Sequence, residues 1–311
     1  MLSLEKIDNS FKPFFKMEEV KNELKKINKF LVEEEAQGYE ITPKKENILR
    51  FATVPLKQYE IVVIGQDPYP AKGRATGRAF EVNDLNDFTD KFSQQSIKNI
   101  ITAINMGLTG NPYRKYDYIK KDMLSGKFNI QYPKLYFSAL EEQGIIFLNT
   151  AFTCRVGKPG THIKIWSTFT KLLLKYISDN ISPTWILWGG KAQELSLYMK
   201  GNKILNYHPS YKDRVANKYP FFDKPFNFLN KDWTGIIYKV KDINNSIYNI
   251  NILNTYNSVN IFINKEFNNI LSTLKEGEKC LAKLSSNDSS YIVTIEIVDN
   301  KPTITKLLEE E

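Results

Sequence analysis

The chain has 311 residues, 42% hydrophobic and 13% aromatic, which is enough apolar material for a large α/β core and too much for a disordered chain. No apolar run reaches the roughly 20 residues that would span a bilayer, and the opening "MLSLEKIDNSFKPFF" lacks a basic segment followed by an apolar core and a cleavage site. A cytoplasmic protein without membrane contact is expected. The formal charge of +8 suits a polyanionic partner, although AT-rich codons that favour lysine produce the same excess. Cys154 and Cys280 lie far apart and fit a reducing compartment. No Cys/His cluster has zinc spacing, so no metal or other cofactor is expected.

Four short apolar runs follow one another along the chain, each ending abruptly in polar loop chemistry. Ile61 to Ile64 runs into Gly65, Gln66 and Asp67; Ile145 to Leu148 into Asn149 and Thr150; Trp185 to Trp188 into Gly189 and Gly190; Ile204 and Leu205 into Asn206, Tyr207 and His208. They read as strands buried on both faces. Between them lie residues at helical spacing: Ile97, Ile100, Ile101 and Ile104, then Phe169, Leu172, Leu173, Tyr176 and Ile177. Strand then helix, repeated, predicts a mostly parallel four-stranded sheet flanked by helices. Ligands bind beyond the carboxyl ends of such strands, so Asp67, Asn149 and His208 are expected to converge.

The stretch "GNPYRKYDYIKKDMLSGKFNIQYP", residues 110–133, is polar, basic and tyrosine-rich and reads as a long loop or an insertion. Beyond about residue 235 the texture changes. Asparagine-rich sequence gives way to alternating segments such as "VNIFIN" and "SYIVTIEIV". Two domains are expected: 1–235, and a small β-rich domain at 236–311.

"GQDPY" followed by "GRAF", then "LNTAFTCR", "LWGGKAQ" and "HPS", in that order, resembles the family-1 uracil-DNA glycosylases over roughly residues 45 to 230. The resemblance implies a monomeric, metal-free α/β enzyme that flips uracil out of single- or double-stranded DNA and hydrolyses its N-glycosidic bond. It implies that Asp67 positions the attacking water and stabilises the sugar cation, and that His208, as a neutral imidazole, donates to uracil O2. Asn149 would pair with the O4 and N3 edge, Tyr69 would fill the place of a thymine methyl, Phe80 would stack on the base, and Gln66 would orient the pocket through its backbone N–H. Ser96 and Ser210 match positions that grip phosphates, and His162 matches one expected to be structural or near phosphate rather than catalytic.

The departures are specific. Pro70 stands where the family usually has His, "KFSQQS" replaces a Pro-rich loop, and Lys212, after Tyr211, replaces the leucine wedge that enters the base stack. Two alternatives stay open on these residues: a glycosylase for another modified pyrimidine in phage defence or counter-defence, and a non-catalytic DNA-binding scaffold such as a polymerase adaptor. The C-terminal segment would suit single-stranded DNA or a protein partner.

Overall fold

A computed structural model describes residues 2–235 in full and, beyond them, the backbone of six strands between residues 237 and 309. The chain divides into two compact units, Met1–Tyr113 with Leu140–Asn227, and Arg114–Ala139 with Phe228–Glu311.

The first unit is built on the parallel sheet. Helices α1 (Lys12–Lys16) and α2 (Glu18–Ala36) lead through the short strand β1 (Ile41–Thr42) to β2 (Ile61–Gly65), then α3 (Gln95–Thr109). After α4 (Tyr116–Leu124) and α5 (Pro133–Glu142) come β3 (Ile145–Asn149), β4 (Cys154–Arg155), α6 (Ile163–Asn180), β5 (Thr184–Trp188), α7 (Gly190–Gln193) and β6 (Lys203–Asn206). The sheet order is β3-β2-β5-β6, with every pairing parallel. Strands β2 and β3 are buried along their whole length, because helices cover both faces of a parallel sheet and each position must be apolar.

The fourth strand differs from its expected burial. Leu205 is 45% exposed and its neighbours are only half-buried, whereas β3, the other edge, is buried throughout. Helix α6 follows its sequence period: Trp166, Phe169, Leu173, Leu174 and Ile177 are buried against a core that includes Phe11, Phe14 and Leu31 of the N-terminal segment.

In the second unit, the segment read as a loop from residue 110 contains helix α4. Tyr116, Ile119 and Met123 recur at helical spacing there, with Ile119 fully buried, Asp117 in the first turn and Lys121 in the last. The C-terminal strands β7 (Ile237–Lys241), β8 (Ile247–Thr255), β9 (Ser258–Ile263), β10 (Lys279–Ser286), β11 (Ser289–Val298) and β12 (Lys301–Glu309) close into an antiparallel barrel of order β10-β11-β12-β9-β8-β7. Of the alternating segments singled out in the sequence, residues 259–263 fall on β9 and "SYIVTIEIV" on β11. No helix among the described residues is long and apolar enough to cross a membrane.

Candidate active site

Register brings the strand ends together. Gly65 pairs with Asn149 across β2 and β3, and Trp188 with Asn206 across β5 and β6, so the loops that follow leave the sheet side by side. Gly65 is required at its position: a Cβ there would lie 2.5 Å from Ala79 Cβ and 2.7 Å from Asn149 Oδ1, so only glycine lets the Asn149 amide lie over the end of β2. The Gln66 carbonyl accepts from Thr150 N (3.1 Å), Ala151 N (2.8 Å) and Thr150 Oγ1 (2.9 Å), which ties the loop after β2 to the loop after β3.

Asp67 sits inside this tied loop. Its Oδ2 accepts the backbone N–H of Gly160 at 2.5 Å, and its Oδ1 accepts from Gln66 Nε2 at 3.3 Å. Burial raises its pKa above the usual carboxylate value, against the opposing pull of those two bonds. The Pro70 carbonyl accepts from Gly157 N at 2.8 Å, so the residue that replaces histidine joins the same scaffold through its backbone.

Phe80 has φ +64°, a left-handed conformation that costs a bulky residue strain energy and persists only where its neighbours hold it. Ala79 N donates to the Phe147 carbonyl at 3.1 Å, while the buried Arg78 guanidinium is shared between Glu81 and Glu141. The Phe80 ring then meets Trp188 at 5.8 Å and lies 6.1 Å from the His208 imidazole, tilted by 34°.

The donors around His208 fix its tautomer. Ser210 N donates to Nδ1 at 3.2 Å, and the Ser210 hydroxyl lies 2.9 Å from the same nitrogen. Nδ1 is therefore an acceptor, and burial lowers the pKa, so the ring is neutral with its proton on Nε2. Gly189, at φ +89°, allows this approach, because a Cβ there would stand 2.8 Å from His208 Cβ.

A cavity of about 240 Å³ is lined by Gly65, Gln66, Asp67, Tyr69, Phe80, Ser96, Asn149 and His208. Seven of these eight are the residues singled out from sequence for chemistry, base reading or phosphate contact. Asn149 is 3% exposed, yet among the described residues its amide has no hydrogen-bond partner. Tyr69 is held neutral by burial. Ser210, Tyr211 and Lys212 lie outside the cavity lining. Tyr211 stacks on Tyr207, with ring centroids 5.9 Å apart and an interplanar angle of 12°, and both rings are half exposed. The Lys212 ammonium lies 6.0 Å from the Tyr219 ring.

One group of residues escaped the sequence reading. Glu34, on α2, pairs with Arg155 Nε and Nη2, and its Oε2 lies 3.4 Å from His162 Nε2. Trp166 Nε1 donates to Thr153 Oγ1 at 2.7 Å, which leaves the threonine O–H to donate to His162 Nδ1 at 2.9 Å. The buried His162 is thus neutral and donates from Nε2 to Glu34, with burial lowering its pKa. This network braces the turn that carries Gly160. A signal for it exists: Glu34 falls on the buried stripe of Val20, Ile27 and Leu31, where an acid needs a partner.

The parallel sheet holds a half-buried carboxylate, a neutral imidazole and a buried amide around one small cavity at its strand ends, an α/β scaffold whose site fits hydrolysis of a glycosidic bond. No protein-family model matches the chain. It is 31% identical over 235 residues to the uracil-DNA glycosylase of Fusobacterium nucleatum, covering 73% of this chain and 92% of that protein. The uracil-DNA glycosylase of Borrelia duttonii is 32% identical over 212 residues, 66% of this chain and 84% of that one. The chain belongs to the uracil-DNA glycosylase family. Among solved structures, mimivirus uracil-DNA glycosylase aligns with a TM-score of 0.52 at 24% identity, over 66% of this chain and 70% of that one. The enzyme of Nitratifractor salsuginis aligns with a TM-score of 0.53 at 20% identity, over 66% and 84%, and the two show the shared fold.

Proposed function

We propose that this protein excises uracil from DNA in base-excision repair, with Asp67, Asn149 and His208 as the centre of its chemistry. The observation that carries the assignment is the buried Asn149 amide without a protein partner, facing a cavity of about 240 Å³. An amide that makes no bond to protein and borders a cavity is left for water or a ligand to complete. The O4 and N3–H edge of uracil is complementary to it, since O4 accepts from the amide N–H and N3–H donates to the amide oxygen. Phe80 stacks on the flipped ring, Tyr69 excludes a C5 methyl, and the Gln66 backbone N–H completes the base contacts.

The C1′–N1 bond breaks with its electron pair leaving on uracil, where negative charge collects at O2. The His208 Nε2–H donates to that oxygen while the ring stays neutral. Asp67 faces the cation left on the sugar and orients the water whose oxygen bonds to C1′; the water's proton passes to the carboxylate and from there, through solvent, to the uracil anion, which restores Asp67. Free uracil and an abasic site result. Ser96 and Ser210 contact the flanking phosphates, Ser210 through the face of its hydroxyl not turned to His208. Tyr211 is assigned the wedge, and Lys212 a phosphate contact.

Residues 1–235 carry this chemistry, in an intracellular setting where DNA is available. Residues 236–311 are assigned to single-stranded DNA or a protein partner, a role supported by the closed barrel found there. The test is release of free uracil from uracil-containing single- and double-stranded oligonucleotides, with and without a chelator. Release from both that survives the chelator is expected, and no release from either overturns the assignment.

A further inference from the structure

The cavity around Asp67 is the first of three hollows, together a groove, linked by shared lining residues. Gln66 and His208 also border a second hollow of about 260 Å³ beneath the Gly189–Gly190–Lys191 turn. A third, of about 470 Å³, shares Gln66, Thr150 and Lys191 with the second. The groove therefore starts at the loop that holds Asp67 and runs across the first half of α6 to the turn at Glu194–Tyr198.

Its far end has a chemistry of its own. Ile163, Leu195, Leu197 and Tyr198 line it, and Leu197 is 74% exposed. Such a patch beside a polar site marks a binding surface more often than a chance exposure. Lys171 lies one turn beyond Ser167 on the same face of α6, with its ammonium 5.4 Å from the Tyr198 ring. Lys191, on the opposite border, is 3.4 Å from Glu194, whereas Lys171 has no ion pair among the described residues. Excision in the uracil pocket uses none of these side chains.

We infer that this outer hollow is a subsite for an unpaired nucleotide that flanks the uracil on the same strand, with its base against Tyr198 and Leu197 and its phosphate on Lys171. The inference rests on the assignment of uracil excision. Three features select this occupant. Gln66 lines both the uracil pocket and this hollow, the volume is within the range of small-ligand sites, and an aromatic-aliphatic floor beside a cation is how proteins hold single strands without reading sequence. A base inside a duplex is stacked and paired and cannot enter, so the subsite acts on single strands alone.

The test uses the full chain and single-stranded oligonucleotides in which uracil carries two nucleotides on the 5′ side only, the 3′ side only, or both. Extension on one side is expected to raise kcat/KM about tenfold. That gain disappears in Tyr198→Ala and Lys171→Ala, and also in the unaltered protein when the flanking nucleotide lacks its base. The substrate extended on the other side is cut at an unchanged rate. Leu197→Glu, at a position too exposed to matter for folding, gives the same result through repulsion of phosphate. Fluorescence anisotropy with labelled uracil-free strands provides a readout independent of cleavage: weaker binding of single strands and unchanged binding of duplex are expected. Variants that bind and cleave every strand like the parent, or that lose activity equally on all substrates, overturn the subsite. A parent protein that binds single strands through these residues but releases no uracil overturns the excision assignment and leaves the subsite standing.

Discussion

Gly160 donates its backbone N–H to Asp67 Oδ2 across 93 positions of sequence, and this bond is the largest influence that opposes the rise in Asp67 pKa caused by burial. The carboxylate is thus kept ionised at neutral pH in a place that resists its charge. A carboxyl raised in the folded state contributes stability at low pH that is lost as pH rises through the raised value. Asp67→Asn should therefore raise Tm at pH 7, with the advantage fading below the ordinary carboxylate range. Uracil release should fall about 10²-fold or more while affinity for uracil-containing DNA changes little. The wild-type rate should fall off in acid as Asp67 protonates, at a pH above the ordinary carboxylate value. Burial holds His208 below the ordinary imidazole value, so the Asp67→Asn profile, which keeps His208, shows which part of the limb belongs to Asp67. A loss confined to binding would refute the charge role.

Glu34 acts at one remove. Its carboxylate holds Arg155 and His162, which flank the turn that presents Gly160. Glu34→Gln leaves the side-chain volume and removes the charge, so Tm should drop and kcat should fall about tenfold with KM unchanged, since a small displacement of a positioned group is costly. The discriminating readout is the acid limb. A weakened Gly160 bond raises Asp67 further, so the limb should move to higher pH. A change in Tm alone would mean that the network serves only stability.

What the sequence disclosed and what it withheld divide along a physical line. Strands β2, β3 and β5 were legible because a doubly covered parallel sheet makes every position apolar, and the loops after them stood out by contrast. Asp67, Asn149 and His208 converge because parallel register aligns the strand ends, and topology alone anticipates that. The Glu34 network was not legible, because it joins α2 to β4 and α6 through tertiary contact, and no local period encodes a partner more than 120 residues away. Helix α4 was hidden by its lysines, which mask the Tyr116, Ile119 and Met123 spacing. The exposure of β6, unlike the buried edge β3, is not something a run of apolar letters reveals.

Pocket chemistry can be reversed by edge and by shape. Tyr69→Ala removes the ring that occupies the place of a C5 methyl and should yield measurable thymine release. Asn149→Asp places a carboxyl where burial favours the protonated form. Its O–H can donate to cytosine N3 and its carbonyl can accept from N4, so cytosine should gain while uracil release falls by about 10²-fold or more. Release from T:A and C:G duplexes decides the matter, and no gain of either activity would mean that these side chains do not read the base.

Strand opening turns on two neighbours in one loop. Tyr211 is stacked on Tyr207, and its N–H is bonded to the His208 carbonyl at 2.9 Å, so the ring stands on the same loop as the imidazole. Lys212 is turned toward Tyr219, and its hydrated ammonium favours phosphate over a base stack. To enter a duplex, Tyr211 must give up its partner ring, a contact worth about 0.5–1.5 kcal/mol, and the base pair must also be broken. A single strand escapes the second cost, so uracil in single-stranded DNA should be released faster than in duplex. Tyr211→Ala should depress duplex cleavage by about tenfold and leave single-strand cleavage nearly unchanged, whereas Lys212→Leu should raise duplex cleavage and narrow the gap. Tyr207→Ala separates wedge from scaffold. If Tyr211 is the wedge, freeing it from its stack should raise the duplex rate, but if the pair only shapes the loop, loss of Tyr207 should lower both rates together. Equal rates on both substrates, unmoved by any of the three substitutions, would show that opening is governed elsewhere than in the loop after β6.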